Sequence, residues 1–273
     1  MIVQPILNQS IGTPGKIQMY AVMNDARYEA GASTEIGAHI HSCYEIYVNF
    51  SGDISFFHDS TVYGIQPCDV IVSAPGDVHH CIYHSSCTHA HACIWFVGEE
   101  IGEFLSRRGI RGKISIPKEE AERVPRLLRR LANAEADPFL RTAWLMELLS
   151  LLDNENSAAE SGAEDFPEIL NDMLSYIDQH LAEISGWEDL SQEFFLSKSA
   201  INRLFGRHVG ISVGRLIEAK RLSYAEKLLR ADLSVTDACY QAGFSDCSRF
   251  IAAFKKKFGQ TPLKYKQSLF LKK

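Results

Sequence analysis

Up to about residue 97 the chain alternates short apolar runs with turn residues. Glu45-Ile-Tyr-Val-Asn-Phe and Asp69-Val-Ile-Val-Ser are rich in β-branched and aromatic side chains, and Gly, Pro, Asp and Ser punctuate the stretches between such runs. Many short strands at this spacing predict an antiparallel sandwich or barrel. From Glu99 the apolar period lengthens. It predicts a short helix over Glu99–Arg108, a last strand over Ile114–Ile116, and two striped helices over Lys118–Ala134 and Pro138–Leu152. Their stripes are Val124, Leu127, Leu128 and Leu131, then Leu140, Trp144, Leu148, Leu149 and Leu152. Asp153–Asp165 is small, polar, acidic and aperiodic, as a linker is. Beyond it every segment reads as helix: a stripe of Leu170, Leu174, Ile177 and Leu181, then Asp189–Phe195, Ser197–His208, Ser212–Arg230, Val235–Ala242 and Asp246–Phe258.

The helical part holds a weak repeat. Leu190-Ser-Gln-Glu-Phe-Phe-Leu-Ser197 through Phe205, then Gly210, is matched by Ala238-Cys-Tyr-Gln-Ala-Gly-Phe-Ser245 through Phe254, then Gly259. In both copies a Ser is placed to cap the longer helix and a Gly to end it. Each copy is a short helix, a turn and a longer helix, so the segment predicts two helix-turn-helix units. The Ser212–Arg230 helix between them spans roughly 28 Å at about 1.5 Å per residue. That is the order of the ~34 Å between successive major grooves on one face of a duplex.

Charge sharpens this picture. The chain carries a net charge of -6, but residues 194–273 hold 16 Lys+Arg against 5 Asp+Glu. One basic segment in an acidic chain suggests a polyanion partner for that segment alone. No apolar run approaches the roughly eighteen residues of a membrane span, and no basic stretch followed by an apolar run opens the chain. The seven cysteines are an odd number. A cytoplasmic protein with reduced thiols and no membrane partner is expected.

Residues 167–270 resemble the AraC-type DNA-binding domain, most specifically over Gly243-Phe-Ser-Asp-Cys-Ser-Arg-Phe-Ile-Ala-Ala-Phe-Lys-Lys-Lys-Phe-Gly-Gln-Thr-Pro262. Leu196-Ser-Lys-Ser-Ala-Ile-Asn-Arg-Leu-Phe205 looks like the first recognition helix. Departures are Phe195, where a small residue is usual, and Ala238-Cys239 in place of Ile-Ala. The resemblance implies a sequence-specific transcription regulator acting on an operator in double-stranded DNA, not an enzyme. Ser199, Asn202 and Arg203 share one helix face for base reading. On the second helix Cys247, Ser248, Arg249 and Ala252 are placed toward the groove. Lys198, Arg207, Lys255 and Lys256 are placed on phosphates.

Gly37-Ala-His39-Ile-His41-Ser-Cys-Tyr-Glu45 through Gly52 resembles the first cupin motif, and Gln66-Pro-Cys-Asp-Val-Ile-Val-Ser-Ala-Pro75-Gly-Asp-Val-His79 the second, with Cys68 where Gly is usual. The implied fold class is α+β and multidomain: an N-terminal jelly-roll-like cupin β-barrel (1–97), a helical extension for dimerisation (98–153), a linker (154–166) and an all-α double helix-turn-helix (167–273). His39, His41 and Glu45 share strand parity and His79 joins them from a facing strand, a set that suits a divalent first-row metal. The alternative occupant is organic: a small polar effector, such as a sugar or organic acid, lined by His39, His41, Glu45, Tyr47, His79, His91 and Trp95. His80, Cys81, His84, Cys87, His89, His91 and Cys93 contain no pair of CxxC units, so they read as barrel lining rather than structural zinc. A second functional class stays open, a metal-dependent cupin enzyme fused to a DNA-binding module. A homodimer is expected through the two extension helices, with Leu128 and Leu148 near the contact.

Overall fold

The computed structural model describes residues 9–11, 17–29, 39–41, 43–133, 136–156 and 167–270. The N-terminal half is built from antiparallel strands in two sheets. One has six strands in the order β1 (Gln9–Ile11), β2 (Ile17–Tyr28), β8 (Cys87–Val97), β3 (Tyr44–Ser51), β6 (Val70–Ser73) and β9 (Gly112–Ile114). The other has three, β5 (Thr61–Gly64), β4 (Ile54–His58) and β7 (His79–Tyr83). Between them lie Tyr47, Ile54, Phe56, Ile71, Tyr83 and Cys93. Successive strand residues point to opposite faces, so their neighbours fill two further layers.

On the outer face of the six-stranded sheet, Ile46, Val48, Val70, Val72, Ile94 and Phe96 pack against three helices: α1 (Glu99–Arg108), α2 (Arg123–Ala132) and α3 (Pro138–Asn156). This explains why β3 is buried on both faces. Several predicted bounds shift for local reasons. The last strand lies two residues before Ile114–Ile116. The helix expected from Lys118 begins at Arg123, which puts Pro125 in its first turn, where a missing N–H is tolerated. Asp137 caps α3 by accepting from Phe139 N at 2.8 Å, with Pro138 at the first helical position. That helix runs on to Asn156, into the stretch expected as linker. Residues 157–166, the rest of that stretch, lie outside the described residues.

The C-terminal half is helical: α4 (Glu168–Gln179), α5 (Trp187–Phe194), α6 (Lys198–Leu204) continued by a π-turn to Val209, α7 (Val213–Arg230), α8 (Val235–Gln241), α9 (Cys247–Phe258) and α10 (Pro262–Phe270). The last of these was not foreseen. Ser197 caps α6 as expected, accepting from Ala200 N, but α9 is capped by Asp246 rather than Ser245. Gly243 sits at φ +85°, and a Cβ there would fall 2.5 Å from the Ala182 carbonyl oxygen. No other residue fits that turn without displacement. Cys68 adopts φ +73° and Phe195 +53°, so two of the three departures from the family patterns occupy left-handed positions.

The two halves share a core. Phe57, Val62 and Ile82, on the outer face of the three-stranded sheet, pack in one cluster with Phe205, Val209, Leu216 and other residues of the helical half. The barrel is thus covered twice, by its own helices on one sheet and by the helical module on the other.

The positions expected at a dimer contact lie inside the subunit instead. Leu128 and Leu148 are 1% and 0% exposed within their own subunit, so they cannot meet a second copy. The α2 stripe and the Leu148, Leu149 and Leu152 part of the α3 stripe are used on the barrel, while Leu140 stays 46% exposed. Leu148→Ala should cost about 2–5 kcal/mol through the cavity it leaves, read as a lower urea midpoint with an unchanged slope.

Candidate functional site

In the barrel, β3 lies between β8 and β6, and their registers align Ser73, Glu45 and Trp95 across three strands. Residues so paired project to the same face. An isolated bridge between His39 and His79 closes the far side, each backbone N–H donating to the other's carbonyl. The effect is to converge four side chains from separate parts of the sequence. Potential ligand atoms of His39, His41, Glu45 and His79 all lie within 4.8 Å of one another. Glu45 Oε2 is 2.8 Å from His41 Nε2 and 3.0 Å from His79 Nε2, and it accepts from Trp95 Nε1 at 2.9 Å.

Burial alone would raise the Glu45 pKa, but the charge of His79 and hydrogen bonds from His41 and His79 hold it well below the ordinary carboxylate value. Burial would lower His79, and the Glu45 carboxylate raises it instead. The second ring nitrogen of His79 donates to the Asp77 carbonyl at 2.9 Å. That bond fixes which nitrogen faces Glu45, as backbone carbonyls do for histidines that bind metals. The donor set therefore fits a divalent cation: three imidazoles, one carboxylate and an outer partner. Ser73 Oγ, in the Glu45 row, and His91 Nδ1 are buried without a hydrogen-bond partner. They are polar atoms that a bound group could satisfy.

The remaining expected lining is present but unevenly accessible. Tyr47 is buried, its hydroxyl 2.7 Å from His89 Nε2, while His91 stacks on the Tyr47 ring. His39, His41, His91 and Trp95 are only half-buried and form the accessible side. His89, seen in the sequence only as lining, is held between the hydroxyls of Tyr47 and Tyr83, at 2.7 and 2.8 Å. Burial there, with His91 beside it, pushes its pKa down to about 3. Of the remaining cluster, His84 meets Ser55 at the strand end, Cys81 points to Tyr47, and His80 faces the helical module.

That last contact belongs to a junction the sequence did not reveal. His80 Nε2 donates to the Val209 carbonyl. Gly76 N donates to the His41 carbonyl at 2.9 Å, and the Gly76 carbonyl accepts from Ser223 Oγ on α7. Gly76 has φ +88°, and a Cβ there would lie 2.5 Å from Ser223 Oγ. Lys220, 6% exposed, reaches from α7 to Asp59 at 3.0 Å, Ser60 at 2.9 Å and Asp178 at 2.6 Å. Burial would raise the Asp59 pKa, but Lys220 and Arg111 hold it below its usual value. The missed signal was polar: Lys220 and Ser223 are buried on a helix whose other buried residues are mostly apolar.

On the helical module, Lys198, Ser199, Asn202, Arg203 and Arg207 are exposed, and Ile201 and Phe205 are buried. Lys198 Nζ also lies 4.6 Å from the centre of the Trp187 ring. On α9, Ser248, Arg249, Ala252, Lys255 and Lys256 are exposed. Cys247 departs from its expected place. It precedes Phe250 and Phe254 by three and seven positions, shares their buried face, and puts its sulfur on Cys239 rather than outward. Arg215 was missed. It is exposed at the start of α7, in a cleft between the two units that Arg249 and Ala252 also line.

Two families match the chain. A helix-turn-helix domain matches residues 190–268, and an AraC-like ligand binding domain matches residues 26–164. Among curated proteins, the HTH-type transcriptional activator RhaS of Salmonella arizonae is 34% identical over 128 residues, 46% of this chain and 45% of that protein. RhaS of Escherichia fergusonii is 32% identical over 158 residues, 56% of each. The chain thus spans about half the length of the curated relatives it matches. Among solved structures, ToxT from Vibrio cholerae O395 is 15% identical, covering 93% of this chain and 98% of its own, with a TM-score of 0.39. The AraC-like match takes in just over half of the 273 residues; with the helix-turn-helix match after it, the chain belongs to the AraC family, a ligand-binding domain followed by a DNA-binding one.

Proposed function

We propose that the chain is a cytoplasmic transcription regulator, rather than an enzyme, whose DNA binding responds to a small polar effector held at His39, His41, Glu45, His79, His91 and Trp95. The observation that carries this reading is the short path from that cluster to the DNA module. His79 and His80 are consecutive, so one faces the cluster and the other the module. The His41 carbonyl is two hydrogen bonds from α7, through Gly76 and Ser223. An effector shifts an equilibrium only by its differential affinity for two states. Here the states would differ in how the three-stranded sheet holds the module. A divalent metal, if resident, would be held by His39, His41, Glu45 and His79, and would supply a Lewis-acidic centre for effector oxygens. The chain's own part is to hold His79 in one tautomer and Glu45 ionised.

For DNA, Arg203 and Asn202 would read bases from α6, and Ser248, Arg249 and Ala252 from α9. Lys198, Arg207, Lys255 and Lys256 would contact phosphates. A homodimer suits paired operator sites. With Leu128 and Leu148 buried, the surface left for it is on α3, where Phe139 and Met146 lie two turns apart, 67% and 44% exposed.

Arg203→Ala should weaken operator binding by about 1–3 kcal/mol and relax discrimination at one base pair, while Lys255→Ala should weaken all sequences alike and flatten the salt dependence. An Arg203→Ala protein that ranks operator variants as the parent does would remove α6 from the reading surface. In operator titrations with candidate effectors, His41→Ala should lose the response and keep basal affinity. Lys220→Met should still bind effector by calorimetry but fail to pass the signal on; a full response from it would show that the junction is not the route. Phe139→Glu should raise the monomer fraction in sedimentation, and an unchanged distribution would move the dimer contact off α3.

A further inference from the structure

The second helix-turn-helix unit contains a pair of thiols that DNA reading does not account for. Cys239 lies on α8, fully buried, and Cys247 is the first residue of α9, half-buried. Both are free, and their sulfurs are 2.8 Å apart. A disulfide needs about 2.05 Å, so the gap to close is under an ångström. The two helices are held on either side of it by the Gly243 turn and by Phe250 beneath. Burial, then contact with Cys247, pushes the Cys239 thiol up to about 12. Cys239 is therefore the protonated, sheltered partner. Cys247 is the one an oxidant can reach, beside exposed Asp246 and Ser248.

We propose that Cys239 and Cys247 form a reversible redox pair, oxidised by a peroxide to a disulfide that weakens DNA binding by the second unit. The proposal rests on the DNA-reading function assigned above. The chemistry runs in two steps. The Cys247 thiolate attacks hydrogen peroxide; the O–O bond breaks, an S–O bond forms, and the sulfenic acid is left with hydroxide. The Cys239 sulfur then attacks the Cys247 sulfur. The S–S bond forms as the S–O bond breaks, and the departing hydroxide takes the Cys239 proton and leaves as water. The two sulfurs together lose two electrons; the hydroxide of the first step takes up the proton that the Cys247 thiol gave up, so the peroxide ends as two waters. A cellular thiol restores the pair by exchange.

The consequence follows from where α9 begins. Asp246 accepts from Ser248 N at 2.7 Å and Arg249 N at 3.4 Å, so the first turn of the helix carries both its cap and its exposed Ser248 and Arg249. Closing the sulfurs draws that turn toward α8. Base contacts are geometrically strict, and one misplaced contact is worth about tenfold in affinity.

The test uses the full chain. Ala231–Arg249 is a single tryptic peptide that contains both thiols and no other cysteine. After hydrogen peroxide and alkylation without reduction, that peptide should be unalkylated and two hydrogens lighter, and dithiothreitol should reverse the change. Operator affinity should fall by about tenfold on oxidation and recover with dithiothreitol. Cys239→Ala should bind as the reduced parent and form no internal link with peroxide, its Cys247 stopping at the sulfenic acid, which dimedone traps. Should that variant not fold, the parent's peptide mass and its reversal still decide the matter. A peptide alkylated at both cysteines, or oxidised to sulfinic acid without the link, overturns the pair. A disulfide that leaves operator affinity unchanged overturns the switch. If neither redox state binds DNA, the DNA-reading function fails and the switch with it, while the peptide mass separately decides whether the pair forms.

Discussion

A strand cannot turn two consecutive side chains to the same side, and on β7 that rule places the polar cluster and the domain junction one peptide unit apart. His79 belongs to the barrel interior with Glu45, and His80 belongs to the contact with Val209. A change that tilts or shifts β7 to suit a bound group inside must move the residue that meets the DNA module outside. The loop before β7 adds a second connection of the same kind, since Gly76 bonds to the His41 backbone on one side and to Ser223 on the other. The barrel wall is thin enough that both of its surfaces are made by one strand and its loop.

The architecture follows from the same alternation carried over the whole sheet. β3 and β8 bury residues on both faces because helices α1 to α3 cover the outside of the six-stranded sheet. The three-stranded sheet has no such helices from its own half. Phe57, Val62 and Ile82 there would meet water unless the helical module covered them. Lys220 shows how polar groups join this apolar contact. It enters from α7 and finds Asp59, Ser60 and Asp178 within hydrogen-bond distance, so its ammonium is paired where it is buried.

Much of this was legible in the sequence because it depends on local period. The helix-turn-helix repeat, the Ser197 cap and the Gly243 turn are all short-range patterns, and the structure has each of them. His39, His41 and Glu45 converge too, but not along one regular strand: β3 begins at Tyr44, and His39 joins by an isolated bridge to His79. The bounds that moved did so where two local signals competed. Ser245 and Asp246 are both good caps, and the chain uses the second. Pro125 needs the first turn of its helix, which trims the start predicted at Lys118. Cys247 was misdirected although its spacing from Phe250 and Phe254 already put it on the buried stripe. What could not be read was docking. Leu128 and Leu148 form stripes equally suited to a partner subunit and to the barrel, and periodicity does not say which. The junction through His80, Gly76 and Ser223 joins residues more than a hundred positions apart, with no pattern linking them.

The shared core also bears on how the chain is made. The barrel closes by pairing residues 17–28 with 87–97, a long-range contact that forms slowly, while the helical half folds through near neighbours. Synthesis delivers the barrel first. Until the module emerges from the ribosome, Phe57, Val62 and Ile82 form a bare apolar wall on a newborn sheet, open to capture by chaperones or by another nascent chain. The DNA-binding half is in this sense the barrel's own intramolecular shield.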